Sequence, residues 1–120
     1  MDYPISWSVE LAVKPGQLES FRALTSEMVE ATRAEAGVLT YQRFVSDDGK
    51  FVYVYERYAN SAAAAAHVQK FKDRFGERFS AMVERTRFMV FGYPSDELRR
   101  LLDGFGATYM KPFGEFAYWG

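Results

Sequence analysis

The chain has 120 residues, no cysteine and a single histidine, and its 15 basic residues nearly balance its 16 acidic ones. That length holds one domain with one core, the missing thiols exclude disulfides, thiolate metal sites, iron–sulfur clusters and cysteine nucleophiles, and one imidazole excludes sites built on two or three. A net charge of −1 with no run of arginines leaves no surface for nucleic acid or anionic membrane.

The opening stretch MDYPISWSV has no basic segment and no long apolar run, and no part of the sequence approaches the ~18 consecutive apolar residues of a membrane span. The expectation is a soluble cytoplasmic protein. Aromatic residues make up 18% of the chain, with eleven Phe, eight Tyr and two Trp. Such an excess suits either a lined ligand pocket or a large oligomer interface.

Residues 5–13 alternate strictly, with Ile5, Trp7, Val9, Leu11 and Val13 on one side and Ser6, Ser8, Glu10 and Ala12 on the other. A period of two predicts a strand. Pro15 suits the first turn of a helix, where its missing N–H costs nothing. From 17 to 35 the apolar residues Leu18, Phe21, Leu24, Met28 and Ala31 recur at helical spacing, and Gly37 closes that helix.

Two strands follow, 38–45 and 51–58, joined through Asp48-Gly49, a pair suited to a hairpin turn because glycine accepts positive φ. Asn60 or Ser61 can cap the next helix, which is predicted to run to about 84 with a jog at Gly76 and a stripe of Val68, Phe71, Phe75, Phe79 and Met82. The five alanines 62–66 favour a helix start in close contact with the sheet. A fourth strand is predicted over 85–93.

The order β-α-β-β-α-β defines an α+β, ferredoxin-like fold with an antiparallel sheet and both helices on one face. Residues 1–94 form this domain. Residues 95–120 add a short helix at 96–103, opened by Ser95 and closed by Gly104, and a tail with six aromatic or methionine side chains between 107 and 120. That tail is expected to pack on its own domain or to cover a partner subunit or the mouth of a pocket. The third strand is apolar on both sides, with Phe51, Tyr53 and Tyr55 opposite Val52, Val54 and Tyr58. The helices cover one face, and a second copy of the chain is the economical cover for the other.

Three stretches, VKPGQLESF, EATRAEAGVLTYQ and VYERYANSAAAAAH, resemble in order and spacing the antibiotic biosynthesis monooxygenase-like family over roughly residues 5–92. Tyr55, Glu56 and the Ala66-His67 pair fit the family pattern, and Tyr58 stands where tryptophan is common. The resemblance implies a homodimer in which two sheets join as a dimeric α/β barrel, with a pocket between each sheet and its helices. Many members oxidise aromatic polyketides or quinols with dioxygen as co-substrate and no metal or flavin. Some bind and degrade haem, and others have no assigned activity.

Cofactor-free oxygenation needs a phenolate or enolate that can give an electron to dioxygen, a base to form it, and a dry pocket. Glu56 shares the face of Val54 and Tyr58, and its burial is expected to raise its pKa into a useful range for a base. It could instead pair with Arg43. His67, the sole histidine, projects beside the apolar stripe one turn before Phe71 and is the second candidate proton acceptor. Tyr58, Tyr41, Trp7 and Phe71 are candidate pocket walls, although core packing explains them nearly as well; Ser8 and Arg43 are candidate anchors for a carbonyl or phenolate, or could equally face solvent. Arg85 and Arg87 read as surface charge.

Haem degradation meets three departures: no asparagine on the first strand, Tyr58 in place of tryptophan, and no histidine in QKFKDRFGERF, where the resemblance places the haem ligand. The leading expectation is therefore a cofactor-independent monooxygenase of a small aromatic, quinol or polyketide-type substrate. A non-catalytic dimeric binding or structural protein is the alternative. An isomerase or cyclase could use the same base and dry pocket.

Overall fold

A computed structural model gives the structure of the chain and describes residues 3–116. Its elements are β1 (Ile5–Val13), α1 (Leu18–Arg33), β2 (Val38–Val45), β3 (Phe51–Tyr58), α2 (Ser61–Arg74), α3 (Gly76–Met82), β4 (Val83–Phe91), α4 (Asp96–Asp103) and β5 (Thr108–Met110). The strands form one sheet in the order β2-β3-β1-β4-β5, antiparallel except for the last pair. The first four strands give the expected ferredoxin-like topology. Within one chain the sheet is open, edged by β2 and β5, and does not close into a barrel.

Alternation decides which residues enter the core. Ile5, Trp7, Val9 and Leu11 of β1 and Val52, Val54, Glu56 and Tyr58 of β3 are buried, packed with Phe21, Leu24 and Met28 of α1 and with Val68, Phe75 and Phe79 from the second helical segment. The opposite face stays uncovered: Phe44, Phe51, Tyr53 and Phe91 are all exposed, Phe44 by 56%. Among the described residues no helix is long and apolar enough to cross a membrane.

The long second helix breaks at Phe75, whose φ of −124° leaves the helical range, and ends at Met82, so β4 starts two residues before the predicted strand. Both predicted caps form locally, as Asn60 Oδ1 accepts from the Ala63 N–H at 2.9 Å and Ser95 Oγ from the Leu98 N–H at 3.2 Å. Leu98 and Leu102 then sink fully into the core, which fastens α4 to the domain. The tail divides. Phe105 turns inward and β5 joins β4, whereas Phe113 and Phe116 are exposed and 117–120 lie outside the described residues.

A close approach fixes where the connection from α1 into β2 meets α2. A Cβ built on Gly37 would fall 2.4 Å from the Ala63 Cβ, so the chain entering β2 touches the first turn of α2 where both residues are small. This is the tight helix start that the alanine run predicts, and it aligns the residues just before Gly37 with those one turn beyond Ala63.

Candidate functional site

Strand register sets the site in a row. Tyr41 on β2, Glu56 on β3 and Trp7 on β1 are direct cross-strand neighbours, all on the helix-facing side. Arg43 lies two residues along the same face of β2, and Tyr58 two residues beyond Glu56 on β3. His67 of α2 lies over this row, its ring 5.4 Å from those of Tyr41 and Tyr58.

Glu56 is the hub. Its Oε1 accepts from Trp7 Nε1 at 3.0 Å and from the Tyr58 hydroxyl, and its Oε2 accepts from Arg43 Nη2 at 2.6 Å. His67 Nε2 stands 3.8 Å from Oε1. Burial by itself pushes the carboxyl pKa up, but the Arg43 charge, His67 and the Tyr58 hydrogen bond outweigh it and hold the group below its ordinary 4.5. The expectation of a raised pKa is therefore corrected: Glu56 is an ionised acceptor paired with Arg43. Tyr58 moves the opposite way, far above 10, because it is buried beside the Glu56 charge, and burial lifts Tyr41 to about 12. Both phenols stay protonated near neutral pH, so each keeps a hydroxyl proton to donate.

The second ring nitrogen of His67 has a partner absent from the sequence reading. Nδ1 lies 3.2 and 3.3 Å from the two oxygens of Glu35, just beyond the end of α1. The imidazole thus stands between two carboxylates, tethered at Nδ1 and directed by Nε2 at Glu56. Arg43 lies with its guanidinium 3.4 Å from the Tyr41 ring centre, and its Nε and Nη1 are buried without a hydrogen-bond partner.

Beside this network, between the sheet and the helices, is a cavity of about 50 Å³ lined by Trp7, Arg43, Glu56, His67 and Phe71 among others. Tyr58 and Tyr41 do not line it: Tyr58 is packed behind Glu56, and Tyr41 lies on the far side of His67. Those two predicted pocket walls are corrected to positions supporting the polar network. The volume suits one or two waters, whereas benzene needs a cavity nearer ~150 Å³. A larger cleft of about 380 Å³, lined by Tyr3, Arg57, Tyr93, Lys111 and Glu115 among others, carries no comparable acid–base cluster among the described residues.

Two further residues shape the mouth. Phe105 packs against Phe71 and stacks on Phe88 at an interplanar angle of 12°. Arg85, read from the sequence as surface charge, is half-buried and lines the cavity, with its guanidinium 4.6 Å from the Phe105 ring centre. The cause is a bulge in β4: Glu10 pairs with Arg87 but Leu11 with Arg85, so the strand changes phase and turns Arg85 toward the helices. No alternation rule could have found it. Glu35 did leave a trace, as an acid at a helix C-terminus, where the dipole disfavours negative charge.

A ferredoxin-like α+β unit with a buried acid–imidazole cluster on the helix side of its sheet is the class that fold and site define. The antibiotic biosynthesis monooxygenase family model matches residues 4–85, and the chain belongs to that family. Among curated proteins none matches the chain. The crystal structure of MupZ from Pseudomonas fluorescens is similar over 98% of this chain and 91% of its own, with 21% identity and a TM-score of 0.86. That span necessarily takes in α4 and β5. PA3566 from Pseudomonas aeruginosa, at 24% identity and a TM-score of 0.62, aligns with 75% of this chain and 91% of its own. A provisionally named antibiotic biosynthesis monooxygenase from Bacteroides thetaiotaomicron aligns with 72% of this chain and 84% of its own, at 24% identity and a TM-score of 0.59. At these identities the likenesses establish the fold alone.

Proposed function

We propose that the chain is a cofactor-independent monooxygenase that oxidises a small electron-rich aromatic, of the quinol or anthrone kind, with dioxygen, and that His67 is its proton acceptor. The observation that carries this is the orientation of His67, tethered through Nδ1 to Glu35 with Nε2 toward Glu56, a residue that lines the cavity with it. An imidazole held this way takes a proton at Nε2, and the carboxylate already beside Nδ1 stabilises the imidazolium that forms. A C–H or O–H proton leaves the substrate for Nε2, and the anion gives one electron to dioxygen. Recombination forms the new C–O bond, and for an anthrone-type methylene loss of water leaves the ketone. The balance is CH2 plus O2 giving C=O plus H2O, with no external reductant.

In this reading Glu56 is not the base. An ionised carboxylate bound by Trp7, Tyr58 and Arg43 is a weak proton acceptor, and its work is to hold the site's charges in place. The substrate ring needs more room than the present cavity, and Phe105 between Gly104 and Gly106 is the side chain whose rotation would enlarge it. The functional unit is a homodimer, with a second copy over the aromatic sheet face.

The small cavity also supports a second reading, a non-catalytic protein whose pocket is filled by its own side chains and whose polar network is structural. Oxygen uptake separates the two. With a panel of quinols and anthrones and a metal chelator present, the oxygenase consumes dioxygen, and turnover collapses in His67→Ala with the fold intact by circular dichroism. No uptake across the panel, or uptake indifferent to His67, rejects the oxygenase reading in this form.

A further inference from the structure

Among the described residues Arg85 has no counter-charge: no carboxylate lies within 4.0 Å of it and no acceptor takes its N–H groups. Phe79 and Phe105 lie 5.4 and 4.6 Å from the guanidinium carbon, and burial alone lowers its pKa. Stacked aromatic rings engage the faces of a guanidinium and leave its N–H edge unoccupied, which is the edge that receives a carboxylate in bidentate fashion.

The other charges around the cavity do not relieve it. Glu56 is taken by Arg43, whose Nε and Nη1 remain buried and unpartnered. Two guanidinium groups against one carboxylate leave the lining at +1 before His67 is counted. Half-burying a charge without a partner is costly, and evolution of a plain core would replace it by an apolar side chain. A partner arriving from solution resolves the imbalance.

We propose that the ligand of this cavity is an anion, a flat apolar acid whose carboxylate pairs with the N–H edge of Arg85 while its hydrocarbon part lies against Phe71, Phe88 and Trp7. This deepens the proposed function by naming the substrate class, and it rests on that reading in taking this cavity, enlarged by rotation of Phe105, as the ligand site. Arg85 is then a binding residue that sets specificity, and His67 keeps the chemistry.

The test compares acids with their neutral isosteres. Benzoate and naphthoate, with benzamide and naphthamide, are titrated into the full-length protein and its Arg85→Gln and Arg85→Lys variants by calorimetry and by tryptophan fluorescence, to which Trp7 in the lining and Trp119 contribute. The expected result is binding of the acids at least about tenfold tighter than of the amides, with that ratio lost in Arg85→Gln and partly kept in Arg85→Lys. A merely structural Arg85 would change stability without changing the ratio. Amides binding as well as acids, or an acid preference that survives Arg85→Gln, overturns the anion proposal and leaves the cavity standing as a site. If neither series binds, the anion proposal falls by itself, and dioxygen uptake with the neutral quinols then decides separately whether the oxygenase reading survives.

Discussion

Nδ1 of His67 lies 3.2 Å from the carboxylate of Glu35, a contact between residues 32 positions apart. Neither residue alone produces it. The link passes through Gly37, two residues after Glu35, which lets the chain press onto Ala63, and one helical turn from Ala63 is His67. The imidazole–carboxylate pair is thus assembled by the close approach of two small residues.

If Glu35 accepts from Nδ1, the neutral imidazole carries its proton there and presents a bare Nε2 to the cavity. As the only histidine in the chain, His67 gives an unambiguous nitrogen NMR signal. The expected spectrum of the neutral form shows the Nδ1–H tautomer, replaced in Glu35→Ala by a mixture or by the commoner Nε2–H form. The proposed turnover should fall with it by about 10²-fold or more, the range typical of a general base. An Nε2–H tautomer in the unaltered protein would contradict the assignment.

Glu56 makes a prediction about acid stability. Its folded pKa lies below the ordinary 4.5, so as pH falls the unfolded chain takes up this proton first. Its contribution is complete above about 4.5 and is lost as pH falls through the lower, folded value. Glu56→Gln should flatten that part of the acid-unfolding profile, leaving the slopes of exposed Glu10 and Asp48, whose pKa values are also lowered. At neutral pH it should cost about 3–5 kcal/mol, because Arg43 is left buried without its counter-ion. Denaturant titrations across pH measure both effects, and a variant as acid-sensitive as the parent would reject the ionised, Arg43-paired state.

The row Tyr41–Glu56–Trp7 was legible from alternation because β1, β2 and β3 share one phase there. The caps at Asn60 and Ser95 were legible because each bond spans three residues. What failed depended on long-range geometry. The β4 bulge between Glu10 and Leu11 hid Arg85, since one extra residue exchanges the faces of a strand. The sequence leaves Glu56 open between a raised pKa and pairing with Arg43, and the structure has the pairing; desolvation is visible in a sequence, whereas the added contributions of His67 and Tyr58 that hold the carboxyl below 4.5 are not. Tyr58 and Tyr41 were on the correct face, yet facing the helices is not the same as lining the void.

The uncovered sheet face predicts association. Phe44 and Tyr53 are cross-strand partners, both exposed, in a sheet whose other face is fully packed. Light scattering should find a dimer, and Phe44→Glu should yield a folded monomer, because a charge opposite an aromatic ring cannot be buried there. Truncation after Met110 removes Phe113 and Phe116, which are exposed on their own domain. Weaker association at unchanged unfolding temperature would place the tail on the partner. A monomeric parent protein would reject the dimer.

The Gly37–Ala63 contact gives the sharpest test of how the site is built. Gly37→Ala places a methyl 2.4 Å from the Ala63 Cβ, inside any allowed separation, so α2 must move away from the start of β2. Backbone conformation is not the obstacle, since Gly37 is not among the positive-φ glycines. The overpacking should cost about 1–3 kcal/mol and, by drawing His67 from Glu35, should change the histidine signal as Glu35→Ala does. Ala63→Gly alone should cost about 1 kcal/mol from helix propensity. The double variant should be more stable than the sum of the two single effects and should regain the parent tautomer, because the second change removes the atom with which the first collides. Strict additivity, with the histidine signal still altered, would mean that this contact does not hold the pair together.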